Sequence, residues 1–227
     1  FLPVLLLLLV MGAWTTFPLV EARLAKVQSD QMAVLNLRSA MLQEDLANAL
    51  EKLQALVDDP NLAPLLAHDS PALRQRLEES MVTLLLRNRD FDQVRWLDEH
   101  GQEQVRIDRR EGRPVAVPAA ALEDQSLRPY FTDTLRLPAG EILISPMELS
   151  VEQGQIAQPF RPILRLATPV PAPLGQPRGI LIIEVNAAGL LERLPRHHFT
   201  GAQLLWLNEA GDWLRATDPD DEWGFQR

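Results

Sequence analysis

The chain opens on an unbroken apolar block and then changes its hydrophobic rhythm. Residues 1–20, FLPVLLLLLVMGAWTTFPLV, carry no charge. As a helix rising about 1.5 Å per residue, such a block spans roughly 30 Å, the depth of a bilayer core. Pro3 and Pro18 lie near its ends, where a helix tolerates them, and Trp14 and Phe17 lie towards one end, as interfacial aromatics do. The block predicts a transmembrane helix or signal anchor over residues 1–22. Two other readings stay open. Val20-Glu21-Ala22 has a spacing like that of a signal-peptide cleavage site, and the block can also be a buried helix of a soluble fold.

From residue 23 to 57 there is neither Gly nor Pro, and apolar residues recur in steps of three and four: Leu24, Val27, Val34, Leu35, Met41, Leu42, Leu46, Ala49, Leu50, Leu53, Leu56 and Val57. That period marks one face of an amphipathic helix, read either as a stalk leading away from a bilayer or as an ordinary bundle helix. Asp58-Asp59-Pro60 ends it. Ser70-Pro71 then supplies an N-cap followed by proline at the first helical position, and Leu73, Leu77, Met81, Leu84 and Leu85 continue a second helix to about Asn88. Residues 23–90 thus predict a long helix and a helical hairpin.

After Phe91 the period falls to two. Residues 94–98 and 103–108 alternate on either side of a Gly-containing turn, which predicts a β-hairpin. A second turn is expected at Glu111-Gly112-Arg113-Pro114 and a short helix over 124–135. Strands follow at 141–145, 147–151, 162–170 and 179–186, and a short helix at 189–195. The run Gly179-Ile180-Leu181-Ile182-Ile183-Glu184-Val185 is the most apolar and predicts the central strand. These elements define an α+β lobe over residues 91–195 built on a five-strand antiparallel sheet. Residues 204–215 repeat the strand, acidic-Gly turn, strand order at a separation of about 110 residues. Residues 200–227 therefore predict the beginning of a second lobe, too short to bury its own core.

Composition narrows the function. Thirty-one acidic residues against 22 Lys and Arg give a net charge of −9, a surface that repels phosphate backbones and argues against nucleic acid as a partner. Cysteine is absent, which removes disulfides, thiolate metal sites and cysteine nucleophiles together. No His lies within motif reach of a Ser or of a carboxylate pair, so no nucleophile and base are arranged for catalysis. His197-His198 are adjacent and do not converge on one ion. The acidic run Asp218-Pro219-Asp220-Asp221-Glu222 lacks the alternating ligands of a calcium loop and reads as a solvated turn. No metal or cofactor is implied.

The order of membrane helix, stalk helix, PAS-like lobe and start of a second PAS-like lobe resembles the double Cache (tandem PAS-like) extracellular sensor domains of bacterial histidine kinases, diguanylate cyclases and chemoreceptors. Four stretches carry the likeness: Leu122 to Phe131, with Arg128 two positions before the aromatic pair Tyr130-Phe131; Gly140 to Pro146; Ile163 to Val170 followed by Gly179 to Val185; and Leu207 to Leu214 with the closing Glu222-Trp223-Gly224-Phe225. The resemblance implies a membrane receptor whose residues after about 22 lie in the periplasm or outside the cell. It further implies a homodimer joined along the stalk, and a non-catalytic segment serving a kinase or cyclase output domain. A soluble periplasmic binding or interaction protein, released by cleavage near Ala22, is the alternative.

The resemblance also implies a small-molecule ligand, a carboxylate or amino acid, held on the concave face of the sheet. Arg128 can clamp a carboxylate with two parallel hydrogen bonds, and Tyr130 and Phe131 can wall the ligand. Glu184 stands near the place where amino-acid-binding members carry an acidic residue for the ligand amine, with Glu where Asp is usual. Ser145 and Arg165 lie on neighbouring strands. Each has a structural reading beside the functional one: Arg128 paired with Asp124 or Asp133, Tyr130 in the core, Arg165 and Glu184 as a cross-strand ion pair.

Overall fold

The structure, a computed structural model, describes residues 2–68, 70–152, 154–171, 177–192, 206–216 and 218–227, without the side chains of residues 2–20 and of Glu152. The chain separates into two units, Phe1–Glu44 with His197–Leu204, and Asp45–Arg196 with Leu205–Arg227. In the first unit, helix α1 (Leu2–Val57) runs without interruption from the apolar block into the Gly-free and Pro-free stretch. Among the described residues no helix is long and apolar enough to cross a membrane. The span expected over residues 1–22 falls almost wholly on side chains outside the description, as do His197 and His198.

The second unit starts with the last turns of α1. A short helix, α2 (Leu62–Ala67), follows Pro60 and was not legible in the sequence pattern. Helix α3 (Pro71–Arg87) begins as expected behind an extended Ser70, although the Ser70 hydroxyl makes no cap hydrogen bond. At its other end the Asn88 amide donates to the Leu84 carbonyl oxygen at 2.8 Å. Arg109 completes this end by donating to the carbonyl oxygens of Leu85, Asn88 and Phe91, so one guanidinium closes the orphan carbonyls of the helix terminus.

The sheet is built from β1 (Phe91–Leu97), β2 (Glu103–Arg110), β3 (Arg113–Ala116), β4 (Leu143–Ile144), β5 (Glu148–Leu149), β8 (Pro162–Pro169) and β9 (Ile180–Asn186). A separate small hairpin joins β6 (Val151–Glu152) and β7 (Gln155–Ile156). The order is β3-β2-β1-β9-β8-β4, with β5 also on β8, and all the pairs are antiparallel. The most apolar strand, β9, lies between β1 and β8 as its composition predicts. Seven strands replace the expected five. The extra edge strand β3 starts inside the expected second turn: only Glu111 and Gly112 turn, both at positive φ, and Pro114 sits on the edge strand, where its missing N–H breaks few ladder bonds. Residues 141–145 and 147–151 yield only short pieces.

Helix α4 (Pro129–Leu135) is shorter than the expected 124–135. Asp124 instead accepts from the Ser126 backbone N–H at 2.8 Å, closing a turn, and Arg128, preceding proline, is extended at φ −80° and ψ 131°. Helix α5 (Ala187–Glu192) leaves β9. A two-strand hairpin of β10 (Trp206–Leu207) and β11 (Trp213–Arg215) opens the repeated pattern. Its acidic tail is a turn: the Asp218 carboxylate accepts from the Asp220 N–H at 3.0 Å.

The two faces of the sheet differ. Phe91, Val94 and Trp96 of β1, Val105 and Ile107 of β2, Leu166 of β8 and Leu181, Ile183 and Val185 of β9 form one cluster with Ala49, Leu53, Leu56, Leu62, Leu65, Leu77, Met81 and Leu85 of the helices. Helices thus cover one face with an apolar core. On the other face Leu97, Ala167, Ile180 and Ile182 pack with Phe131 of α4 in a smaller cluster. The strand alternation that sends Val94 and Trp96 to the helices sends Arg95 to this second face.

Candidate ligand-binding site

Five strands place charged side chains in a row beneath α4. Arg95 of β1 is 6% exposed at its side chain, and Glu103 of β2 is fully buried. Arg95 Nη1 donates to Glu103 Oε1 at 3.2 Å, and Arg95 Nη2 lies 3.7 Å from Glu184 Oε2 on β9. The same Glu184 oxygen is 3.3 Å from Arg165 Nε on β8. Arg165 also pairs with Glu148 of β5. In the other direction Glu103 Oε2 is 3.6 Å from Arg106, which donates to Asp108 at 2.8 Å. Acid and base therefore alternate across the sheet from Asp108 to Glu148.

Glu103 reaches this row through a break in register. Trp96 pairs with Val105 but Leu97 pairs with Glu103, so the hairpin carries one extra residue on β2. Without the bulge, the period-two rule would turn Glu103 to the same face as Val105. Its second oxygen accepts from the Glu123 backbone N–H at 3.1 Å, which ties the row to the loop before α4.

Tyr130 roofs the row. Its ring centroid is 5.6 Å from the Arg95 guanidinium carbon and 5.1 Å from that of Arg165, two cation–π contacts on one ring. Its hydroxyl accepts from Arg95 Nη1 at 3.3 Å and donates to Gln125 Oε1 at 3.0 Å. Both Nε atoms are buried; Arg95 Nε has no hydrogen-bond partner, while Arg165 Nε meets the Glu184 oxygen as an ion pair without a hydrogen bond. Burial works against the charge of Arg95, but the Tyr130 oxygen, Glu184 and Glu103 outweigh it and raise its pKa. Burial dominates at Arg165, where the repulsion of Arg95 and Arg128 adds to it and the pull of Glu184 does not compensate, so its pKa is lowered.

The structure brings most of the residues singled out in the sequence to this face. Tyr130, Arg165 and Glu184 are in the row itself. Ser145 touches its edge: its hydroxyl accepts from the Arg165 backbone N–H at 3.0 Å and donates to the Pro146 carbonyl oxygen. Phe131 is buried in the apolar cluster beside the row. Arg128 is exposed at the start of α4, near enough to Arg165 to act on its charge. Asp133 pairs with Arg136, not with Arg128. Arg165 and Glu184 are direct cross-strand partners, so the structural reading of that pair holds as geometry. Arg95, Glu103 and Glu148 were not singled out. A parity signal existed for Arg95, which alternates with Val94 and Trp96, whereas nothing in the sequence marks the bulge that turns Glu103.

The row is filled by its own charges. Open clefts of about 630 and 380 Å³ lie at other residues, the first at Pro71, Arg74, Gln75, Glu78 and Ala119, the second at Thr132, Leu135, Arg136, Leu137 and Pro177. What the row offers chemically is two buried guanidinium groups under an aromatic ring, a pattern suited to planar anions.

Comparison with known proteins agrees with this picture. Residues 23–226 match the family model described as the bacterial histidine kinase sensor domain, and the chain belongs to that family. It is a sensor domain of a signal-transduction receptor. No curated protein gives a significant sequence match. Solved structures with the same fold include an extracellular domain described as that of a histidine kinase, vpHK1S-Z8, at 21% identity and a TM-score of 0.68, covering 84% of this chain and 69% of that one. A domain of a sensory box/GGDEF family protein from Vibrio parahaemolyticus aligns at 21% identity and a TM-score of 0.69, covering 84% and 73%. The ligand-binding domain of the Campylobacter jejuni chemoreceptor Tlp3, in complex with 4-methylisoleucine, aligns at 10% identity and a TM-score of 0.63, covering 86% and 71%. The fold is that of the Cache-type sensors named above.

Proposed function

We propose that the lobe over residues 91–195 binds a small carboxylate-bearing ligand, an amino acid or a simple carboxylate, on the charged face beneath α4. Binding then relays a conformational change to an output domain, a histidine kinase or a diguanylate cyclase. The observation that carries this reading is the pair Arg95 and Arg165: both guanidiniums are buried under Tyr130, and Arg95 keeps an Nε without a hydrogen-bond partner. A buried charged donor without a partner is uncommon and leaves a place for one. In this reading Arg128, exposed at the start of α4, meets the ligand carboxylate first and Arg165 beneath holds it, with Tyr130 and Phe131 as walls and Glu184 and Ser145 beside it. The amino-acid part of the reading draws on Tlp3, whose ligand-binding domain is seen with 4-methylisoleucine and with L-valine, and on the Pseudomonas aeruginosa chemoreceptor PctB, seen with L-Arg.

The apolar block over residues 1–22 anchors the chain in the inner membrane, with the remainder outside the cytoplasm. Two facts support this: residues 1–20 carry no charge, and the family match begins at residue 23, directly behind the block. Leu24, Met32 and Leu37 are 57–62% exposed on α1, which supports a homodimer along the stalk. Residues 200–227 begin a second lobe. The test is a thermal-shift screen of amino acids, amines and small carboxylates. At least one carboxylate-bearing compound stabilises the wild type, and Arg128→Ala removes the effect. No stabilisation by any compound overturns direct sensing, and an unchanged response in the variant removes Arg128 from the site.

A further inference from the structure

The charged row has one member unlike the others, and it suggests how the site opens. Glu103 and Glu184 are 0% and 10% exposed at their side chains, and each is shared between two arginines. Withdrawing either takes a partner from two arginines at once and leaves the buried row with an excess of positive charge, which the fold resists. Glu148 is 38% exposed, pairs with Arg165 in the row, and sits on β5, a strand of only two residues. If Glu148 leaves, Arg165 keeps Glu184, and the inner set of Arg95, Arg165, Glu103 and Glu184 stays neutral. A carboxylate arriving from solution can then take the place on Arg165 without leaving a buried charge unpaired.

The residue next to Glu148 is tied to a distant part of the chain. The backbone N–H of fully buried Leu149 donates to Gln226 Oε1 at 2.7 Å. The Gln226 N–H donates to the Trp223 carbonyl oxygen, and the Trp223 N–H to that of Trp213 on β11. A shift of β5 is thus felt in the hairpin that opens the repeated pattern, 77 residues further along the chain.

We infer that Glu148 is a resident carboxylate that holds Arg165 in the unliganded state, competes with the carboxylate of the ligand, and passes its displacement through Leu149 to Gln226. This role rests on the reading of the charged face as a ligand site. It makes the sensor selective for compounds that bring a carboxylate of their own, because only these replace what Glu148 removes. It also supplies the two unequal states that a ligand-driven switch requires.

The test titrates the full chain and its Glu148→Gln variant with acetate, L-isoleucine and 2-methylbutylamine, the last an amine without a carboxylate. Loss of a charged competitor tightens acetate and L-isoleucine binding roughly tenfold in Glu148→Gln and leaves the amine unchanged. Glu148→Asp, which keeps the charge on a shorter stem, falls between. Hydrogen exchange in peptides covering residues 147–150 and 222–227 rises when acetate saturates the wild type, and is already raised in unliganded Glu148→Gln. Wild-type binding with no gain in Glu148→Gln, or unchanged exchange in both peptides, overturns this role while leaving the ligand site standing. No binding of either carboxylate by any of the three proteins overturns the ligand reading and this role with it.

Discussion

The two faces of one sheet solve opposite problems with the same strands. Towards α1, α2 and α3 strands β1, β2, β8 and β9 send apolar side chains, and the contacts are interchangeable in kind. Towards α4 the same strands send Arg95, Glu103, Glu184 and Arg165, whose partners are specific and whose removal is not graded. A buried apolar cluster gives stability in proportion to area, whereas a buried charged row gives little net stability and great sensitivity to any missing member. That sensitivity suits the proposed function, in which the charge of a ligand enters the row.

The largest expected effect comes from breaking the row at its centre. Arg95→Met leaves Glu103 and Glu184 short of a partner and destabilises by about 3–5 kcal/mol in chemical denaturation. The triple variant Arg95→Met, Glu103→Leu, Glu184→Leu recovers most of that loss, since the remaining charges still pair as Arg106 with Asp108 and Arg165 with Glu148. A triple variant no more stable than the single one shows that the face is held by its charges, contrary to the comparison. On the apolar face Leu53→Ala, at a side chain with no exposure, costs about 2–5 kcal/mol through the cavity it leaves and does not alter ligand selectivity.

Smaller changes test the roof. Tyr130→Phe keeps both ring contacts and removes the hydroxyl that links Arg95 to Gln125, so about 1 kcal/mol is lost. A loss above about 3 kcal/mol by the same measurement places Tyr130 among the structural members of the row.

Two carboxylates at the margin give pH effects of opposite sign. Burial acts to raise Asp108, but hydrogen bonds from Arg106, Gln93 and Arg110 outweigh it and hold its pKa below the ordinary value. Its stabilising contribution is therefore present above the ordinary carboxylate range and lost as pH falls through the folded value. Burial raises the pKa of Asp92, against a hydrogen bond with Asn186. The stability linked to it is present below the unfolded value and lost as pH rises through the raised one. In melting curves from pH 3 to 7, Asp108→Asn loses ground to the wild type as pH rises, and Asp92→Asn gains. Parallel curves for either variant contradict the assigned shift.

The apolar face was legible in the sequence because its signal is periodic. Val94 and Trp96, Val105 and Ile107, and the run 180–185 announce strands and their order of burial, and β9 at the centre follows from its composition. The charged face was legible in part. Arg165 and Glu184 share a strand parity, and Tyr130 follows Arg128-Pro129 in a family-like segment. Glu103 was not legible, because its direction depends on a one-residue register slip that no residue type signals. Arg95 was passed over because one arginine among apolar neighbours reads as an ordinary strand position until its partners are assembled from two other strands and α4. The extra strand β3 and the late start of α4 were hidden for a different reason: both are set by prolines, Pro114 and Pro129, whose effect depends on an edge position and on the residue before them.

The central claim is that the face beneath α4 receives the carboxylate of a small ligand on buried arginine. Calorimetric titration of one stabilising carboxylate against the wild type, Arg165→Ala and Leu53→Ala tests it most directly. The account predicts that Leu53→Ala, though less stable, binds with the wild-type Kd, while Arg165→Ala loses binding by about a hundredfold or more, the scale of a lost charged hydrogen-bond pair in a desolvated site. Equal affinity in the wild type and Arg165→Ala contradicts it.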